Sequence, residues 1–113
     1  MNDPNSSLNK RIRGLNDDFR RKFVGGAVMI TAGIEALPAE QRRTILAMVR
    51  AFDAFDGDND PHSEHDFGVV DESGVRCFWK IDYYDRALEF GSDDPSDPAK
   101  TTRVLTVMLA EEY

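Results

Sequence analysis

One cysteine, Cys77, stands among 113 residues, so the chain can form no internal disulfide and its thiol usage fits a reducing compartment. Cys77 falls among apolar residues of a strand-like run, which reads as an inert buried thiol in preference to a nucleophile. No apolar run approaches the roughly 20 residues of a membrane span. No charged-then-apolar leader opens the chain, and a soluble, cytoplasmic protein without membrane association is expected. There is no glycine-rich phosphate loop, because Gly25-Gly26 lacks the Lys-Ser/Thr partner and its spacing. Basic charge is scarce in the second half. Residues 1–50 carry 9 Lys/Arg against 5 Asp/Glu, whereas residues 51–113 carry 5 against 16, for a net charge of −7. Direct nucleic-acid binding is disfavoured, because the acidic half would repel phosphates. The asymmetry suggests either packing of one half on the other or an acidic face offered to a basic partner.

The length and the 41% hydrophobic content suit one domain over 1–113. Residues 1–6 read as a flexible start, with Ser6 or Ser7 as a helix cap. Leu8, Ile12, Leu15, Phe19 and Phe23 recur at helical spacing, and Gly25-Gly26 stops that helix. Ala27–Thr31 reads as a strand, Gly33 as a turn, and Pro38 as the opening of a second helix to about Phe52. Phe67–Val70 and Val75–Tyr83 read as a hairpin around Asp71-Glu72-Ser73-Gly74. Val75, Cys77, Trp79, Ile81 and Tyr83 share one face, and large residues on the other mark the strand as central. Ala87–Phe90 offers a further short strand. Asp97-Pro98 then looks like the start of a last helix with Val104, Leu105, Met108 and Leu109 inward. The expected fold is α+β: a three- to four-stranded, mainly antiparallel sheet packed with helices near 7–23, 38–53 and 98–111. Phe19, Phe23, Ile45, Val49, Phe52, Trp79, Ile81, Leu105 and Met108 form the expected core.

Two segments carry the candidate chemistry: Asp53–Asp66, which holds both histidines, and Phe78-Trp79-Lys80-Ile81-Asp82-Tyr83-Tyr84-Asp85. Asp56, Asp58 and Asp60 open like a calcium loop, but Pro61 replaces the turn glycine and Phe67 the closing glutamate. His62, Glu64, His65 and Asp66 are metal-ligand types in five residues, without a zinc-protease pattern. One reading lets His62, His65, Asp66 and Asp85 hold a divalent metal. The other lets the carboxylates cap turns while His65 packs at the start of a strand. Ser63 and Ser92 lack a nucleophile-elbow context, whereas His65 with Asp66 or Asp82 could do acid–base work. Trp79, Tyr83 and Tyr84 beside Lys80 and Arg76 could stack bases, but core with a tyrosine rim is the simpler account.

The chain resembles a family of short bacterial proteins known as a domain of unknown function, from Leu15 to Tyr113. The likeness rests on Asn16-Asp17-x-Phe19-Arg20, Gly25-Gly26, Asn59-Asp60-Pro61, Glu64-His65-Asp66-Phe67-Gly68, Phe78 to Asp85, Gly91-Ser92-x-Asp94-Pro95, and Arg103-Val104-Leu105-Thr106 through Met108-Leu109-Ala110 to Glu112-Tyr113. It departs at Ser63 and Ala27, where the family carries Gly and Arg. The resemblance implies cargo of a mobile element and no established activity. The expected function is therefore a small acidic module that binds a basic protein surface without a cofactor, with nucleic-acid mimicry as one form of such binding. Its binding residues would be Asp56, Asp58, Asp60, Glu64, Asp82, Tyr84, Asp85, Asp93 and Asp94. The alternative is a metal-assisted or acid–base hydrolase built on His62, His65 and Asp66, with Asp82 and Asp85 completing the site.

Overall fold

A computed structural model describes residues 6–113. The flexible start expected over 1–6 lies outside the described residues, Ser6 excepted. Ser6 Oγ accepts the Asn9 amide at 3.0 Å and begins helix α1, Ser7–Lys22. Arg20, Arg21 and Lys22 place positive charge at its carboxyl end. The helix ends within one residue of its expected bound, and Phe23 caps it in place of a glycine: Phe23 takes the left-handed conformation at φ 55° and returns its amide to Phe19 O. The buried stripe is also rotated from the apolar one. Asn9, Ile12, Asn16, Phe19 and Arg20 face inward, while Leu8 is 53% exposed.

Strand β1, Gly26–Ile30, leads into a single helical turn, α2 (Ala32–Glu35), which contains the expected Gly33 turn and buries Ile34. Helix α3, Ala39–Ala51, follows Pro38 and buries Ile45 and Val49. After the long acidic loop come β2 (Phe67–Glu72) and β3 (Val75–Tyr84), paired as the expected hairpin.

The last expected helix is instead a strand. β4 spans Thr102–Leu109 and lies between β1 and β3, followed by a short 3-10 turn at Ala110–Glu112. Its residues pair along their whole length with β3, from Cys77↔Leu109 to Tyr84↔Thr102. Ladder bonding to two neighbours outweighs the helical spacing of four apolar residues. The expected strand at Ala87–Phe90 is turn, joined to the sheet only by a Tyr84↔Gly91 bridge. The sheet order is β1-β4-β3-β2, with β1 and β4 parallel and the other two pairs antiparallel. The fold is thus α+β with a mixed sheet, and β3 is interior as expected.

Pleating sends Cys77, Trp79 and Ile81 of β3 to the face that also carries Val70, Leu105 and Val107, and these pack with Phe19, Ile34, Ile45 and Val49. Trp79 has no exposed surface and meets Phe52 edge-on at 5.5 Å. Its indole lies over Gly68, where any Cβ would collide with the ring. The opposite face carries Phe67, Phe78, Lys80, Asp82 and Tyr84, with Tyr113 against Phe78 at 5.3 Å.

Candidate functional site

The acidic loop is built from side chains that bond their own backbone. Asp56 Oδ1 accepts the amides of Asp58 and Asn59 at 2.9 and 3.0 Å, and Asn59 Oδ1 accepts that of Asp56 at 3.0 Å. Asp60 Oδ1 then accepts the amides of Glu64 and His65 at 3.0 and 3.2 Å. These bonds hold a backbone in which Ser63 and His65 both take left-handed conformations, at φ 55° and 57°. Ser63 thus occupies a region that glycine adopts most readily.

Helix α1 fixes the second half of this loop residue by residue. Asn9 Nδ2 donates to His62 O at 2.7 Å, Arg13 Nη1 to Ser63 O at 3.0 Å, and Asn16 Nδ2 to Glu64 O at 2.9 Å. Asp17 Oδ1 accepts from His65 Nδ1 at 2.8 Å. Positions 9, 13, 16 and 17 recur on one helical face, so four consecutive loop residues are read by one polar stripe. Beneath it lies a buried network. Asn16 Oδ1 accepts from Arg103 Nε at 2.6 Å, and Tyr83 donates to Glu64 Oε1 at 2.7 Å while accepting from Asn16. Arg103 lies over the Tyr83 ring at 5.2 Å and also donates to Pro95 O. Arg20, without exposed surface, donates to Val49 O and Arg50 O and sits over Trp79 and Phe55.

Burial sets the electrostatics here. It pushes the Asp66 carboxyl up to about 6, with the Glu64 charge adding to the shift. It raises the Tyr83 phenol, reinforced by its bond to Glu64, and lowers the guanidinium groups of Arg20 and Arg103. The Cys77 thiol is fully buried and raised for the same reason.

His65 stacks flat on Phe55, with ring centroids 3.7 Å apart and planes 3° from parallel. Its Nε2 lies 3.6 Å from Asp60 Oδ2. Phe55, Asp56, Gly57, Asp60, Pro61, Ser63 and His65 line an open pocket of about 400 Å³.

The expected site residues separate into groups. Asp56 and Asp58 are exposed on the outer turn, and Asp93 is exposed on the loop before β4. Asp60, 6% exposed, and Glu64, bonded to Tyr83, hold the loop together from within. Asp94 caps Ser96, whose bonds keep its carboxyl below the usual range. Asp85 caps the Glu89 amide. Asp82 binds Lys80 at 2.7 Å on the sheet face away from the helices, with half-buried Tyr84 beside it in register. His62 is exposed and held by its carbonyl. His62, His65, Asp66, Asp82 and Asp85 therefore do not converge; the structure brings His65 to Asp17 and Asp60 instead. Among the described residues, no three His, Cys, Asp or Glu side chains are placed to hold a metal ion. No helix among them is long and apolar enough to cross a membrane. Asn16, Asp17, Arg20 and Arg103 enter the sequence reading only through the family likeness and not as site residues; for the three on α1 the signal is a polar stripe at helical spacing facing a long loop with no secondary structure of its own.

No curated protein and no solved structure matches the chain. Residues 30–112 match the family described as "Protein of unknown function (DUF3768)", which takes in α2, α3, the acidic loop and strands β2 to β4. That match covers most of the chain, and the protein therefore belongs to the DUF3768 family.

Proposed function

We propose that this chain is a protein-binding module that docks a basic partner surface through carboxylates on two fixed loops. One observation carries the reading. Asp53, Asp58 and Asp93 are exposed and enter no ion pair among the described residues, although the loops that bear them are tied down by hydrogen bonds. The first loop is held as described above. The second is held by Thr101 Oγ1 donating to Asp94 O at 2.7 Å and Arg11 Nε to Ser96 O at 2.8 Å. The loops thus flank the amino-terminal part of α1 on two sides. Charge fixed in place loses little entropy when a partner arrives, and charge complementarity chiefly sets association rate and specificity. Asp60 and Glu64 leave the docking set, because their charges serve the loop.

The test is affinity capture from cells that produce the chain, with wild type and with Asp53→Asn/Asp58→Asn/Asp93→Asn. Capture of basic proteins that salt releases, and that the triple variant loses, is expected. Capture that ignores both salt and the triple variant would overturn the docking model. A second reading, acid–base hydrolysis, is favoured by the Asp17–His65 bond, which orients the ring with Nε2 at a pocket. Turnover of an ester or phosphodiester that disappears in His65→Ala would establish it.

A further inference from the structure

Arg103 is a buried cation without a counterion. It is 4% exposed, and among the described residues it enters no ion pair. Arg20, buried likewise, has Asp17 at 3.1 Å. Nε and Nη2 of Arg103 donate to neutral oxygens only, those of Asn16 and Pro95. Glu64 attracts the charge from beyond ion-pair range, and its own carboxylate is engaged by Tyr83. A charge withdrawn from water without an opposite charge beside it is costly, which leaves the guanidinium calling for an anion.

The third nitrogen, Nη1, has no hydrogen-bond partner among the described residues, yet it is not sealed. The side-chain atoms there that are both buried and unpartnered are Arg20 Nε and Trp79 Nε1. Nη1 therefore keeps a surface of its own, and Arg103 lines a cavity of about 150 Å³ between the carboxyl end of α1 and the chain that leads into β4. Arg86 lines the same cavity, exposed and in no ion pair among the described residues. Leu15, Val24 and Pro98 give it apolar walls. Asp18 brings a carboxylate to the rim, and Lys22 neutralises it at 2.9 Å. The balance of charge in the cavity is positive.

We propose that this cavity binds a carboxylate on a short aliphatic chain, with its oxygens on Arg103 and Arg86 and its chain against Leu15, Val24 and Pro98. A cation is excluded by the two guanidinium groups, and a neutral ligand leaves the buried charge unmatched. A phosphate dianion fits less well, because the apolar walls offer it no donors and the carboxyl end of α1 opposes a second negative charge. The space equals roughly five waters at about 30 Å³ each, room for a carboxylate of three or four carbons. The exposed aspartates of the docking loops take no part, so the inference stands independently of the basic-partner reading.

The probe is butyrate, titrated into the full chain at constant ionic strength while amide and arginine side-chain nitrogens are followed by NMR. The amides of Val24, Gly25 and Thr101 and the Arg103 guanidinium should shift saturably with one midpoint. Butyramide, which keeps the shape without the charge, should shift none of them, and phosphate should bind more weakly. Arg86 is exposed, so Arg86→Gln should leave the backbone spectrum intact and weaken butyrate about fivefold. An unmoved Arg103 signal, equal binding of butyramide, tighter binding of phosphate, or unchanged affinity in Arg86→Gln would overturn the proposal.

Discussion

Asn16 has no exposed surface and no idle atom: its amide serves Glu64 O and Tyr83, and its oxygen receives Arg103 Nε. Asn16→Leu keeps the volume but strands a loop carbonyl and a buried guanidinium. A loss of about 3 kcal/mol or more is expected in chemical denaturation, since each unpaired buried group costs about 1–3 kcal/mol. A loss under about 1 kcal/mol would mean that water takes over those bonds. Asp66 makes the opposite kind of demand. Burial and the Glu64 charge hold its carboxyl at about 6, above its unfolded value, so the folded chain binds that proton more tightly. Its contribution is present at low pH and disappears as pH rises from about 4 through about 6. Asp66→Asn should match wild type near pH 4 and be more stable at pH 7. The gain expected is about 1–2 kcal/mol after discounting for partial exposure. Equal stability of the two proteins across that range, measured by urea unfolding, would contradict the assigned burial.

At the scale of elements, the hairpin β2–β3 depends on one missing side chain. A methyl at Gly68 would strike the Trp79 indole and lie 2.9 Å from Phe52 Cζ. Neither ring has room to withdraw, because Trp79 is fully buried and Phe52 packs against it. Gly68→Ala should therefore cost about 1–3 kcal/mol and shift Trp79 fluorescence to the red, as overpacked cores do; an unchanged spectrum with unchanged melting would refute it. Elements of this kind were legible where one rule dominated. Val75–Tyr84 alternates cleanly, and Asp71 to Gly74 is turn chemistry. Thr102–Leu109 misled because polar Arg103 lies on its inner face and apolar Val104 and Met108 on its outer one, which hides alternation, while Asp97-Pro98 imitates a helix start; Thr102, Thr106 and Val107 were the β-branched counter-signal. The functional half of α1 was hidden for a different reason. Its inward residues include Asn9, Asn16 and Arg20 beside Ile12 and Phe19, and periodicity of apolar residues is blind to the buried polar part of that face. Asp56 to Pro61 is turn chemistry in its residues, but which carboxylates cap and which face solvent depends on α1, far away in sequence.

For the whole molecule, the charge asymmetry resolves into neighbours. Basic side chains of α1 hold the backbone of the acidic loops, largely through carbonyl oxygens in place of ion pairs, and so leave carboxylates such as Asp58 and Asp93 unneutralised. The position of β4 carries a temporal consequence. It is the last strand to leave a ribosome, and yet it stands between β1 and β3. Gly26 pairs with Arg103 across most of the chain, and Arg103 also reaches Asn16 under the acidic loop. While synthesis is under way, β1 has no neighbour and β2–β3 is a two-stranded ribbon, which is marginal alone. Sheet and candidate site therefore close in the same late event, so that a nascent chain displays neither the pocket nor the docking loops before it can fold.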